Sequence, residues 1–98
     1  MLIEEIGDLY YSHGELDQAL IAYRIVSDIA PQYPEGLRKF AEVLKDPKCL
    51  NQDIERAIEV YKRALRLIEG DVNKTAIARS METLLKKIGR DFEIREIQ

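Results

Sequence analysis

The run Ile3-Glu4-Glu5-Ile6-Gly7-Asp8-Leu9-Tyr10 has a counterpart 34 residues later, Leu37-Arg38-Lys39-Phe40-Ala41-Glu42-Val43-Leu44. Laid one above the other, apolar meets apolar at Ile3/Leu37, Ile6/Phe40, Leu9/Val43 and Tyr10/Leu44, and small meets small at Gly7/Ala41. Self-similarity at such a period marks a repeat architecture and takes precedence over local propensity. A second match sets Leu16, Ala19, Leu20, Tyr23 and Val26 against Ile54, Ala57, Ile58, Tyr61 and Ala64, now at an offset of 38. The four extra residues fall inside the second unit, in Lys45-Asp46-Pro47-Lys48-Cys49-Leu50-Asn51-Gln52. Pro47 is incompatible with a helix interior and biases Asp46 away from helix, so 45–52 reads as a long turn.

Each matching segment carries apolar residues three and four apart, the period of an amphipathic helix. The punctuation is legible: Ser12-His13-Gly14 separates the first two helices, Pro31 and Pro34 end the second, Asp53 is placed to cap the fourth, and Gly70 stops it. Asp71 or Asn73 is placed to cap a fifth helix with an apolar stripe of Ile77, Met81, Leu84, Leu85 and Ile88, closed by Gly89. The expected helices are 2–12, 15–30, 35–45, 53–69, 73–88 and a short one at 91–97, an all-α chain.

The pattern resembles the tetratricopeptide repeat family, a 34-residue helix–turn–helix unit. The first repeat matches at Ile3, Ile6, Gly7, Tyr10, Gly14, Ala19, Tyr23 and Pro31, with Ile3 at the family's tryptophan position and Val26 where alanine is preferred. The run Gly14-Glu15-Leu16-Asp17-Gln18-Ala19 is similar to the family's turn, with leucine in place of an aromatic. The second repeat matches at Leu37, Phe40, Ala41, Leu44, Ala57, Tyr61 and Ala64, and departs at the inserted turn and at Glu69, where proline is usual. Ile77, Ser80, Met81 and Leu84 fit a degenerate third first helix. The resemblance implies one domain over 1–98: repeat 1 at about 1–34, repeat 2 at about 35–70 with its insertion at 45–52, and a capping unit at about 71–98. It implies a right-handed superhelical stack of antiparallel hairpins. Gly7 and Ala19 would mark close helix crossings, and Tyr10, Tyr23, Phe40 and Tyr61 would fill the space between units.

Composition bounds the function. The chain has 98 residues, a net charge of −3 and a single cysteine. That charge argues against a general nucleic-acid binder, which presents a basic surface. A lone cysteine permits no internal disulfide and is compatible with a reducing compartment, so a cytoplasmic or nuclear setting is the expectation. No stretch approaches the ~20 apolar residues of a membrane helix, and no signal peptide is visible. Charge is uneven: residues 1–35 hold seven acids against Arg24 alone, while the remainder holds eleven acids and fourteen bases. The first helix has no capping residue before it, and two full repeats fall short of the ~3 usually needed for stability. Upstream repeats, a partner or self-association would supply the difference.

Chemistry-bearing residues are few. His13 lies in a turn, and the adjacent Ser12 cannot form a catalytic pair with it without a third group and an oxyanion site. Cys49 reads as a half-buried loop residue rather than a thiol activated by Lys48. No cysteine–histidine cluster has metal-ligand spacing, and no glycine-rich phosphate loop is present, so neither cofactor nor catalysis is expected. Glu4 and Asp8 share a helix face, a pattern that also suits the positive end of a helix dipole. Arg56, Lys62, Arg63 and Arg66 are interleaved with Glu55 and Glu59, and Glu59–Arg63 has the spacing of an i,i+4 ion pair, so this group reads as a solvated, salt-bridged face.

The expected function is therefore that of a protein-interaction scaffold or adaptor, with structural self-assembly as the alternative and an RNA-processing role disfavoured by charge. In the family that the chain resembles, first helices line a concave groove for a partner segment. The matching residues are Glu4, Asp8 and Tyr11 on the first helix and Glu42 on the third, with Arg38 and Lys45 at the margins. An acidic, lightly aromatic groove favours a partner with lysine or arginine beside an apolar anchor. Glu4, Asp8 and Glu42 stand where the family's co-chaperones carry residues that clamp acidic chaperone tails, so that ligand is not expected.

Overall fold

A computed structural model describes residues 1–68 and 72–90. Among them are five helices: α1 (Leu2–Ser12), α2 (Leu16–Ile29), α3 (Pro34–Leu44), α4 (Ile54–Leu67) and α5 (Val72–Lys87). Each lies within a few residues of the range expected from periodicity. The expected stop at Gly70, the cap at Asp71 and the short helix at 91–97 lie outside the described residues. Asn73 falls within α5 rather than before it.

Helix ends follow from local chemistry. Gly14 takes φ 76°, and the amides of Gly14 and Glu15 return to the carbonyls of Tyr11 and Tyr10. This paired return at a left-handed glycine satisfies the last carbonyls of α1 and reverses the chain. The same motif recurs at the end of α5, where Gly89 has φ 77° and the amides of Gly89 and Arg90 reach Lys86 and Leu85. Pro34 has two roles, since it also opens α3 at a position where a missing amide hydrogen is no loss. Asp53 caps α4, its carboxylate accepting from the Arg56 amide at 3.0 Å.

The principal packing pairs are α1 with α2 and α3 with α4, joined by α2 against α3, with α5 against α4. The chain is thus two helical hairpins side by side and a fifth helix on the second, a generic helical-repeat arrangement. The small residues explain the close approaches. A Cβ on Gly7 would lie 2.6 Å from Tyr23 Cε1, so α1 meets α2 only because glycine stands there. A Cβ on Gly36 would lie 2.8 Å from Val26 Cγ1, which holds the first turn of α3 against α2 in the same way. Ala19, Ala41, Ala57 and Ala64 are fully buried at the other crossings. Leu37, Phe40, Val43, Ile58, Tyr61, Ile77, Met81 and Leu85 fill one continuous core. Of the aromatics expected between units, Tyr23, Phe40 and Tyr61 are buried, but Tyr10 remains exposed, because it lies with Leu9 on a side of α1 that no helix covers.

The inserted turn is fastened rather than loose. Asp17 at the start of α2 accepts from the Leu50 and Asn51 amides, from Asn51 Nδ2 at 2.8 Å and from the Cys49 thiol. Burial raises the Asp17 pKa, but these donors together hold it below its ordinary value. Cys49 is buried more deeply than its loop position suggested, and burial pushes its thiol up, opposite to activation. Asp53 N donates to Leu44 O at 2.8 Å and Gln52 Nε2 to Lys45 O at 2.9 Å, which closes the loop at its base.

Candidate functional site

Side chains from α1 and α3 meet along one side of the two hairpins. The helical period puts Glu4, Asp8 and Tyr11 on one face of α1 and Arg38, Lys39, Glu42 and Lys45 along α3 and its end. Asp8, Tyr11, Arg38 and Glu42, with Lys39 and Tyr23, line an open cavity of about 480 Å³. Lys45 lies in an adjoining cavity of about 200 Å³ that shares Tyr11 and Glu42 and extends to Thr83 and Lys87 of α5. Five of the six residues expected to bind a partner therefore lie along one continuous trough.

Glu4 is the exception. It is buried beside the trough, and both its carboxylate oxygens accept from the Tyr33 hydroxyl at 3.0 Å. Lys39 Nζ stands 2.8 Å from Glu4 and 3.1 Å from Asp8, bridging the two acids. The Tyr23 hydroxyl donates to Asp8 at 2.6 Å. Burial alone would raise both carboxyls. The Lys39 ammonium and the tyrosine donors outweigh it and hold both below their ordinary values. Burial opposes the charge on Lys39 too, yet its two carboxylates raise its pKa. Burial and the facing carboxylates likewise raise Tyr23 and Tyr33, which stay protonated as donors.

The charge of the trough differs from the acidic groove read from sequence. Glu42 sits between Arg38 at 3.8 Å and Lys45 at 3.3 Å, and Arg38 also holds Glu35. The Glu35 hydrogen bond raises the Arg38 pKa against the effect of burial. Glu4, Asp8 and Glu42 therefore each have a cation within the chain, while Asp46, at the end of the adjoining cavity, accepts among the described residues only from the Lys48 amide. Lys39, Tyr33 and Tyr23 were not among the expected site residues. The signal for Lys39 was present: the carboxylates of α1 have no base on their own hairpin except Arg24, and Lys39 falls on the helix that repeats α1.

Deeper in, Lys45 Nζ lies 5.8 Å from the centre of the Tyr61 ring. The fully buried Tyr61 hydroxyl has no well-formed hydrogen bond, although Glu42 and Ser80 lie near enough to influence it. Burial and the Glu42 charge push that phenol up.

The basic group of α4 lies elsewhere. Arg56, Lys62, Arg63 and Arg66 line a cavity between α2 and α4 together with Asp28 and Glu59. Arg56 is spent partly on Phe40, its guanidinium 5.6 Å from the ring centre. The Glu59–Arg63 pair expected from spacing does not form, which is ordinary for exposed charges whose pairing is worth little. Among the described residues no group of three His, Cys, Asp or Glu side chains is placed to hold a metal, and no helix is long and apolar enough to cross a membrane. Comparison with protein-family models, with curated proteins and with solved structures finds no match for this chain.

Proposed function

We propose that this chain is a tetratricopeptide-like, right-handed stack of helical hairpins, acting without catalysis as an interaction scaffold whose α1/α3 trough takes a segment of a partner protein. The observation that carries the reading is the convergence of Asp8, Tyr11, Arg38, Glu42 and Lys45, from two repeats, on adjoining cavities. The family resemblance supports it, since the family uses the equivalent surface. Tyr11 is the anchor: it is exposed, aromatic and in both cavities. An apolar partner side chain against its ring supplies affinity, while Arg38, Glu42 and Lys45 hydrogen-bond the partner's backbone and set direction. Because Asp8 and Glu42 are already paired and Arg38, Lys39, Lys45 and Lys87 share the lining, the partner needs no cluster of basic residues. This revises the partner chemistry expected from sequence toward a near-neutral segment with one or two apolar anchors.

The test is selection from a displayed library of short random peptides on the immobilised chain. Enriched peptides are then measured against Tyr11→Ser combined with Glu42→Arg, and against Arg63→Ala on the far side. Binding lost in the first variant and kept in the second is expected. Peptides that bind the first variant as well as the parent place the contact surface elsewhere. Substituting Glu4 or Asp8 would be uninformative, because both hold the two hairpins together through Lys39.

A further inference from the structure

Leu2, Ile6 and Leu9 of α1 and Ile21, Ile25 and Ile29 of α2 are between 38 and 70% exposed. They account for most of the large apolar side chains that the described residues leave open. Their spacing puts each trio on one stripe of its helix. Both stripes lie away from the side that meets α3, because Glu4 and Asp8 of α1, which reach Lys39, and Leu16, Ala19 and Tyr23 of α2, which share a core with Leu37 and Phe40, are on the other side of their helices. With Met1 and Tyr10 the face of these two adjacent helices holds eight of the eleven large apolar side chains left exposed among the described residues, a concentration that marks an interaction surface rather than singly scattered residues.

The geometry points to a second copy of this chain as the occupant, in a two-fold dimer through the α1/α2 face. Two features of the surface make it complementary to itself. First, Ile21, Ile25 and Ile29 recur every four residues, so a two-fold axis at Ile25 sets Ile25 against its own copy and Ile21 against the partner's Ile29. Gly7 abuts Tyr23, and α1 runs antiparallel to α2, which puts Ile6 close to the level of Ile25. The same axis therefore sets Ile6 near its own copy and Leu2 near the partner's Tyr10. Second, Arg24 and Asp28 are exposed, one turn apart, along one edge of the α2 stripe. Antiparallel packing brings like edges together, so Arg24 reaches the partner's Asp28 and Asp28 the partner's Arg24. Arg24 is the only base in residues 1–35, and neither it nor Asp28 has an ion pair among the described residues. Glu5 approaches its own copy, a like-charge contact that limits affinity to the micromolar range. This surface is separate from the trough and leaves it open in both copies.

Sedimentation velocity of the full chain, from about 1 to about 500 μM, tests this. The mass is expected to pass from one chain of 11.4 kDa to two, with a midpoint of tens of micromolar. Ile25→Glu is expected to remain monomeric throughout, with helical circular dichroism unchanged because the site is exposed. Leu9→Lys, on the other helix of the face, gives the same outcome and guards against a folding defect in the first. Arg24→Asp should weaken association about tenfold, and Arg24→Asp with Asp28→Arg should restore it. A monomer at every concentration overturns the proposal, and leaves the face to a helix of another protein. So does a dimer that Ile25→Glu does not weaken, a growing series of larger species, or a charge swap that fails to restore.

Discussion

Lys39 joins two helices that are far apart in sequence through a single ammonium, and its energetics set a pH range for the fold. Glu4 and Asp8 have folded pKa values below their references of 4.5 and 3.8. Their contribution is complete above those references and drains away as pH falls through the lower folded values. Lys39 is raised above 10.5, so its contribution is complete below that value and is lost as pH rises through the higher folded one. The network thus supports stability between about pH 5 and about pH 10. Most of the effect belongs to Glu4, whose side chain is nearly covered, whereas Asp8 is almost half exposed and is screened by solvent. Lys39→Met should lower stability in urea by about 1–3 kcal/mol at pH 7, because it leaves the Glu4 carboxylate buried with only Tyr33. That deficit should shrink toward pH 3 as Glu4 protonates, and Glu4→Gln added to Lys39→Met should recover part of it. A deficit independent of pH would show that Lys39 acts by packing its stem. Sequence reading had Glu4 as a solvated or partner-facing acid. It missed the network because which face of α1 meets α3 depends on the hairpin's rotation, which the repeat pattern alone leaves open.

Helices were the most legible scale, and the reason lies in their ends. Gly14, Pro34, Asp53 and Gly89 each do a job that few other residues can do, so the stops and starts they mark were readable in advance. The covered face of α1 was less so: Ile6, Leu9 and Tyr10 have the same apolar character as buried residues, and only the arrangement of neighbours shows that they stay open. Two glycines in one hairpin separate the two physical uses of that residue. Gly14 has open space around its missing Cβ and needs only its positive φ, so Gly14→Ala should lower stability by about 1 kcal/mol. Gly7 is helical, where alanine is worth ~1 kcal/mol more than glycine. There, however, the added methyl meets the ring of Tyr23, itself buried and held by Asp8. Overpacking against a fixed ring outweighs the propensity gain, and Gly7→Ala should cost about 1–3 kcal/mol net. A second change, Tyr23→Phe, removes the bond to Asp8 and frees the ring to move, so Gly7→Ala should cost less in that background. Equal penalties in both backgrounds, measured by urea denaturation, would mean that the ring yields anyway.

Across the whole molecule, packing runs from neighbour to neighbour: α1 on α2, α2 on α3, α3 on α4, α4 on α5. In such a chain stability is close to a sum of units and of the interfaces between them. The inner helices α2, α3 and α4 each have a helix on two sides, whereas α1 and α5 are held on one. Contacts distant in sequence add to this, one on an inner helix and two that tie the outer ones to their neighbours. Asp17 ties the inserted turn to α2, Lys39 ties α3 to α1, and Arg90 holds Glu55 at the start of α4. Native-state hydrogen exchange should therefore be graded. Amides of α3 and α4 should exchange only through global unfolding, while those of α1 should open at a free energy lower by about 1–3 kcal/mol. The measurement belongs at low micromolar concentration, where association through α1 and α2 does not add protection of its own. Lys39→Met should then accelerate exchange in α1 more than in α4, because it cuts a tie that only α1 depends on. Uniform protection from α1 to α4, unchanged in that variant, would mean that the two hairpins fold as one indivisible unit and that the repeat seen in the sequence no longer divides the molecule energetically.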